Sequence, residues 1–428
     1  MKNKIKTLNI ATNEKNIGTF NVYIMLPVGA IHESKKESGV SHVLEHILFR
    51  NKRHLDVVKR LAKVGGRYNA MTYFDYTCFF IKTTNEHAEE AMSILRDMAC
   101  KTTFSERDLE MERGVLLEEY HGSITDPNVV DGVGMFALLD TKNPYNKAII
   151  GTRNVIKNIK AVDLKRYHKQ HYAAPIVFIK CDAAKANKYT QIAQNIFGPI
   201  KVIDLWNDSE MAEKATMIAP KVAVLYSHRP QYLTKLTWPA YRAGDFKKCV
   251  VLQFINHCLS GTLIYSLLNV PLRVQRSLVY TAMSIYECFA YTGFCSIILK
   301  TSNHNTDYVI GLVLDVLEGL KRNGLGSLKV LEYYQKSYIS MMRSMISNDA
   351  HIQDVAIATL YGGFSGDYVK NKMNVIKRLT QNDIKAVCRE VFDYTKMGLI
   401  SIGDYANVNG TSNRITNMVD SYYGSRRE

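Results

Sequence analysis

The sequence predicts an α+β chain made of two copies of one α/β domain, and three observations carry that expectation. The chain has 428 residues, 46% of them apolar, which is enough for two ordinary domains with real cores. Stretches with strand-like patterning are interleaved with stretches of helical period. One unit also recurs. Residues 159–167 lead into the apolar run 176–179 and then Asp182, and residues 379–387 lead into 399–402 and then Asp404. Each copy reads as a capped helix followed by a strand that ends in Asp. The helix aspartates Asp163 and Asp383 are 220 residues apart, and Leu26-Pro27 returns as Trp238-Pro239 at the similar offset of 212. Duplication of one domain explains both spacings.

Taken in order, residues 19–27 read as a buried strand and 29–38 as a polar turn. Residues 39–49 read as a helix, with Val40, Val43, Leu44, Ile47 and Leu48 on one apolar face. A short helix over 56–63 is stopped by Gly65-Gly66. Residues 67–83 alternate and are rich in aromatics and Thr, as a hairpin requires. A helix over 85–98 follows. Ser105 and Asp108 form a capping box that opens a helix over 106–120. The polar stretch 184–220 reads as a linker and the entry to the second copy. In that copy residues 248–260 are the counterpart of the 39–49 helix, and a hairpin pairs 281–286 with 294–299 around Thr292-Gly293. The expected division is therefore 1–190, a linking region 191–220, and 221–428.

The formal net charge is +15. It is spread along the chain, with no run of five like charges and no basic-aromatic repeat, so a nucleic-acid role has little support and a preference for acidic partners stays open. None of the eight cysteines forms C-x-x-C, and they read as reduced core residues of an intracellular protein. The start of the chain has no apolar signal region, which points to the cytoplasm. No apolar run is long enough to span a bilayer.

The chemistry-bearing stretch is His42-Val43-Leu44-Glu45-His46, of the type H-x-x-E-H. On a helix, residues four apart are neighbours, so His42 and His46 can point at one ion. Neutral imidazoles suit Zn²⁺, and a carboxylate such as Glu45 that does not ligate the metal can take a proton from water. A third ligand must come from elsewhere. Glu112 and Glu119 lie seven apart on the helix expected over 106–120 and so share a face; either could serve. Glu118 reads as solvated.

With these residues in view, the chain resembles the pitrilysin or insulin-degrading family of zinc peptidases, which includes the mitochondrial processing peptidases. The resemblance covers most of the chain. His42, Glu45 and His46 match its inverted motif. Glu119 matches its distal ligand, at the end of an E-R-x-V-x-x-x-E pattern, and Glu112 its accessory glutamate. Phe49 matches the aromatic lining of the pocket after the scissile bond. Asn69, Ala70 and Thr72, in Gly65-Gly-Arg-Tyr-Asn-Ala-Met-Thr72, match an edge strand that pairs with extended substrate. Arg273 and Tyr280 match a pair in the non-catalytic domain that stabilises charge growing on the substrate carbonyl. The sequence departs from the pattern at Ile31, where Arg is usual, and at Cys181 and Ser277, where Gly is usual.

The resemblance implies a zinc-dependent endopeptidase acting on unfolded peptides or small proteins, with one Zn²⁺ per chain. Glu45 would be its general base. It implies two homologous α/β domains, each a mostly antiparallel sheet with helices packed on it, together half of a clam-shell chamber. The first domain would be catalytic and the second not. A homodimer, or a heterodimer with a related chain, would close the chamber. Two alternatives share the fold: a processing peptidase subunit that cuts at one defined site, and a catalytically silent scaffold subunit.

Overall fold

The computed structural model describes residues 3–13, 18–49, 54–101, 104–125, 139–140, 142–173, 175–205, 208–215, 222–228, 231–261, 265–302, 305–346, 360–361 and 368–424. The chain divides into two units. The first holds residues 1–130, 147–207 and 355–366, and the second holds 131–146, 208–354 and 367–428. The region 191–220 carries the end of one helix, a short strand and a short helix.

In the first unit, strands β1 (Asn3–Lys6), β2 (Leu8–Asn13) and β3 (Thr19–Leu26) precede helices α1 (Val40–Phe49) and α2 (His54–Lys63). The hairpin β4 (Arg67–Thr72) and β5 (Thr77–Thr84) follows, then α3 (Ala88–Cys100) and α4 (Glu106–Thr125). Helices α5 (Arg153–Asn158) and α6 (Ala161–His171), strand β6 (Ile176–Asp182), helix α7 (Ala186–Phe197) and strand β7 (Val202–Leu205) complete it. Five strands form one sheet in the order β2-β6-β3-β5-β4, with β2 and β6 parallel and the other pairs antiparallel. Seven of the eight residues of β3 are buried, as its near-continuous apolar sequence predicts for a central strand. One face of the sheet, with Val22, Ile24, Phe79 and Ile81, joins the apolar stripes of α1, α3 and α4 in a single core. The capping box at α4 forms as expected: Ser105 Oγ donates to Asp108 Oδ2 at 2.6 Å, and the Asp108 N–H donates back to Ser105 Oγ.

The second unit holds α8 (Ser209–Lys214), strands β8 (Val222–Tyr226) and β9 (Tyr232–Ala240), α9 (Phe246–Asn256), strands β10 (Val279–Cys288) and β11 (Gly293–Thr301), and helices α10 (Thr306–Asn323), α11 (Leu328–Ile346), α12 (Tyr368–Lys377) and α13 (Gln381–Val391). Strand β12 (Gly398–Gly403) and helix α14 (Val408–Gly424) end it. Its sheet order is β8-β12-β9-β11-β10, again with one parallel pair, β8 and β12, and otherwise antiparallel. Strand for strand this repeats the first sheet, so the two halves are homologous. The repeat read from 159–182 and 379–404 corresponds to α6-β6 and α13-β12. Strand β4 and its counterpart β10 are edge strands of their sheets.

Candidate metal centre

Helix α1 is aimed by packing on one side and hydrogen bonds at its start. Val40, Val43, Leu44, Ile47 and Leu48 are all at most 1% exposed, which turns His42, Glu45 and His46 away from the core. The residue before the helix, Gly39, has no side chain to cap it. The buried carboxylate of Glu33 does so instead, accepting from the Gly39 N–H at 2.6 Å and the Ser41 N–H at 2.8 Å. Lys147 Nζ donates to the Glu33 carbonyl at 2.5 Å and fixes the same loop. Gly39 (φ +94) also lies against Gly151 (φ +80): a Cβ on Gly151 would sit 2.5 Å from the Gly39 Cα. No side chain fits at that approach.

Helix α4 supplies the carboxylates. Glu119 has one oxygen 3.6 Å from His42 Nε2 and the other 3.3 Å from His46 Nε2. Glu112, two turns earlier, has Oε1 3.0 Å from His46 Nδ1. The two glutamates share a face, as their spacing predicts, and divide the imidazole between them: Glu112 takes one ring nitrogen, and Glu119 faces the other. One ligand atom from each of His42, His46 and Glu119 lies within 4.8 Å of the others. A tetrahedral zinc with bonds of about 2.0–2.2 Å would hold its ligand atoms roughly 3.3–3.6 Å apart. Glu119 presents a different oxygen to each ring, at separations in that range, and two imidazoles with a carboxylate are donors of the kind zinc takes, so these residues fit the ion. Glu118 is exposed, as expected.

The two imidazoles are pushed in opposite directions. Burial opposes a proton on His46, but the hydrogen bonds of Glu112 and Glu119 and the charges of Glu119 and Glu45 outweigh it and raise its pKa to about 9. His42 goes the other way: burial, together with the neighbouring His46, lowers it to about 4 against the pull of Glu119. Burial is also the main cause raising the Glu45 pKa, opposed by a hydrogen bond from Thr72. Thr72 Oγ1 donates to Glu45 Oε2 at 2.6 Å.

The remaining expected residues fall into two groups. Phe49 ends α1, with its ring 6.0 Å from that of Tyr68 on β4. Asn69 is exposed on β4 and its amide oxygen accepts from the Ala70 N–H at 2.9 Å; Ala70 and Thr72 are buried. Arg273 lies in the second unit, in a π-helical turn, Val270–Val274, and is exposed; Tyr280 follows on β10 and is 69% exposed. Sequence reasoning missed Glu33 altogether and did not foresee that Thr72 reaches Glu45. The missing cap at Gly39 was the available signal for Glu33.

In comparisons with known proteins, the family model described as "Insulinase (Peptidase family M16)" matches residues 9–136. The model described as "Peptidase M16 inactive domain" matches residues 158–336. The chain is 24% identical over 359 residues to the uncharacterized zinc protease YmxG of Bacillus subtilis, covering 80% of this chain and 83% of that one. It is 22% identical over 425 residues to the mitochondrial-processing peptidase subunit beta of Saccharomyces cerevisiae, covering 95% and 91%. Among solved structures, a protease from Helicobacter pylori superposes with a TM-score of 0.81 at 20% identity, over 92% of this chain and 96% of that one.

Proposed function

The chain belongs to the insulinase family of peptidases, M16, and from that premise we propose that it is a zinc-dependent endopeptidase of unfolded peptides or small proteins. One observation carries the proposal: the Nε2 atoms of His42 and His46 converge on the carboxylate of Glu119, and Glu45 stands beside them on the same helix.

In this reading His42, His46 and Glu119 hold one Zn²⁺ per chain. When bound, the ion lowers the pKa of water and polarises the scissile carbonyl. Glu45 takes the proton of the attacking water and delivers it to the leaving nitrogen. Glu112 fixes the His46 ring by accepting from Nδ1, which leaves Nε2 for the metal. Edge strand β4, through Asn69, Ala70 and Thr72, pairs with extended substrate, and Phe49 lines the pocket after the cut bond. Arg273 and Tyr280 are exposed donors suited to charge growing on the carbonyl oxygen. A homodimer, or a heterodimer with a related chain, is the proposed assembly.

The scaffold alternative is disfavoured because the whole His-Glu-His-Glu set is retained. Cutting at one defined site is the second reading, supported by the similarity to processing peptidase beta subunits.

The test uses the purified chain. Elemental analysis should find one zinc per chain, and an unfolded protein should be cut while its native form is spared. Glu45→Gln should keep the zinc and lose the cutting. A zinc-free chain, or a Glu45→Gln variant as active as its parent, rejects the assignment.

A further inference from the structure

The register of the first sheet gathers positive charge on one row. Lys180 on β6 is opposite Asn21 on β3, Asn21 is opposite Lys82 on β5, and Lys82 is opposite Arg67 on β4. Directly opposite residues of antiparallel strands put their side chains on the same face. Three cations and one amide therefore cross four adjacent strands in line. No described ion pair includes Arg67 or Lys82; the Lys82 ammonium instead lies 5.4 Å from the centre of the Phe80 ring. Like charges set directly opposite are destabilising in a sheet. The row ends at Arg67, which is exposed, on a strand whose far side has no partner strand among the described residues.

Thr72, at the other end of β4, holds Glu45. At about 3.3 Å per residue, Arg67 is roughly 17 Å further along the strand. Odd-numbered Arg67 also faces away from even-numbered Thr72. A peptide strand added alongside β4 would thus be cut at one end. About five residues away it would present a side chain on the Arg67 face, next to the charged row.

We infer that Arg67 and Lys82 select substrates with an acidic residue about five positions from the cut bond. This rests on the peptidase reading for where the cut falls, and on charge complementarity for the choice of residue. The Asp or Glu extends the row by one strand and places an anion beside Arg67 and Lys82.

The experiment separates the two readings by measuring binding and cleavage independently. The probes are fluorescein-labelled peptides of Ala, Ser and Gly carrying a single Asp, walked along the chain, each paired with an Asn control and a Lys counterpart. Binding is read by anisotropy on Glu45→Gln protein. At one or two neighbouring positions the Asp peptide should bind about tenfold more tightly than its control, as two screened ion pairs would give. Added salt should erase that ratio. Arg67→Gln should bring it close to one, and Arg67→Glu with Lys82→Glu should turn the preference towards Lys. Melting curves establish that the variants fold. Equal binding of Asp and Asn peptides at every position overturns the inference, as does a preference that survives the double reversal. The same peptides are then offered to the unsubstituted chain. Preferential binding with no cleavage rejects the peptidase reading and leaves the acidic site standing. Cleavage with no preference rejects the acidic site alone, and no binding of any peptide rejects both.

Discussion

Thr72 donates its hydroxyl proton to Glu45 across 2.6 Å, from an edge strand to the helix that carries the metal ligands. The bond engages Oε2, and a backbone hydrogen bond from Thr72 adds to the hold on the carboxylate. Thr72 is thus a positioning residue for the proposed general base as well as part of the expected substrate strand. Thr72→Val keeps the shape and removes the donor. A hydrogen bond to a charged group contributes about 1.5–3 kcal/mol, so kcat should fall roughly ten- to a hundredfold. Zinc content and melting temperature should stay near those of the parent, and Thr72→Ser should restore most of the turnover. If Thr72→Ser is as slow as Thr72→Val, the hydroxyl is not what matters.

Glu33 caps α1 from outside the helix. Glu33→Ala leaves the Gly39 and Ser41 N–H groups buried without their acceptor. At about 1–3 kcal/mol for each of the two orphaned donors, the loss of stability should be roughly 2–6 kcal/mol. Urea unfolding measures it. Glu33→Gln retains an acceptor and should lose less. A cost under about 0.5 kcal/mol for Glu33→Ala, the range of ordinary surface substitutions, would show that the cap is dispensable.

How much of this was legible in the sequence differs from residue to residue. The apolar face of α1, the i, i+4 histidines and the shared face of Glu112 and Glu119 follow from helical period, and all three appear in the structure. The duplicated α6-β6 and α13-β12 units could be read because each is local. What could not be read depends on contacts between distant segments. Glu33 is six residues before Gly39 and outside the helix, where capping rules that inspect the adjacent residue do not look. The bond between Thr72 and Glu45 joins a strand to a helix 27 residues earlier. The row Lys180, Asn21, Lys82, Arg67 exists only once four strands have been put in order and in register.

Glu112 meets His46 Nδ1 at 3.0 Å and does not face the shared Nε2 side. Glu112→Gln should therefore keep all three proposed ligands and weaken their hold on zinc by about 10–100-fold, the usual cost of losing such a partner. Competition with a chromogenic chelator gives that number directly. An unchanged affinity would mean that Glu112 serves only packing, and a complete loss would mean that it ligates.

Ser277 is, among the described residues, the one non-glycine with positive φ, at 51°. It terminates the π-helical turn that carries Arg273: the Ser277 N–H bonds the Arg273 carbonyl at 3.0 Å, and the Leu278 N–H bonds that of Leu272 at 2.8 Å. Glycine is favoured at such an exit, and the left-handed conformation costs other residues about 1–2 kcal/mol. Part of that is offset because glycine also loosens the unfolded chain. Ser277→Gly should raise stability by roughly 0.5–1 kcal/mol, seen as a higher melting temperature. A lower melting temperature would mean that the serine side chain contributes more than its backbone strain costs.

Tyr280 tests whether the second unit contributes to chemistry. It lies on β10, the counterpart of β4, and its side chain is 69% exposed, so packing gives it little to hold. Tyr280→Phe removes one hydroxyl and almost no volume. A structural tyrosine so exposed would be indifferent to the change in both stability and turnover. A tyrosine that donates to the developing oxyanion would leave folding and zinc content intact and lower kcat. Loss of one such donor costs about 2.7–4 kcal/mol, roughly a hundred- to a thousandfold. Arg273→Ala should be at least as damaging, with more of its effect on KM, because a cation also holds the ground-state substrate. The measurements are kcat and KM beside the melting temperature and the zinc content. If Tyr280→Phe turns over peptides like its parent, the catalytic groups all come from the first unit, and the role assigned to Tyr280 is withdrawn.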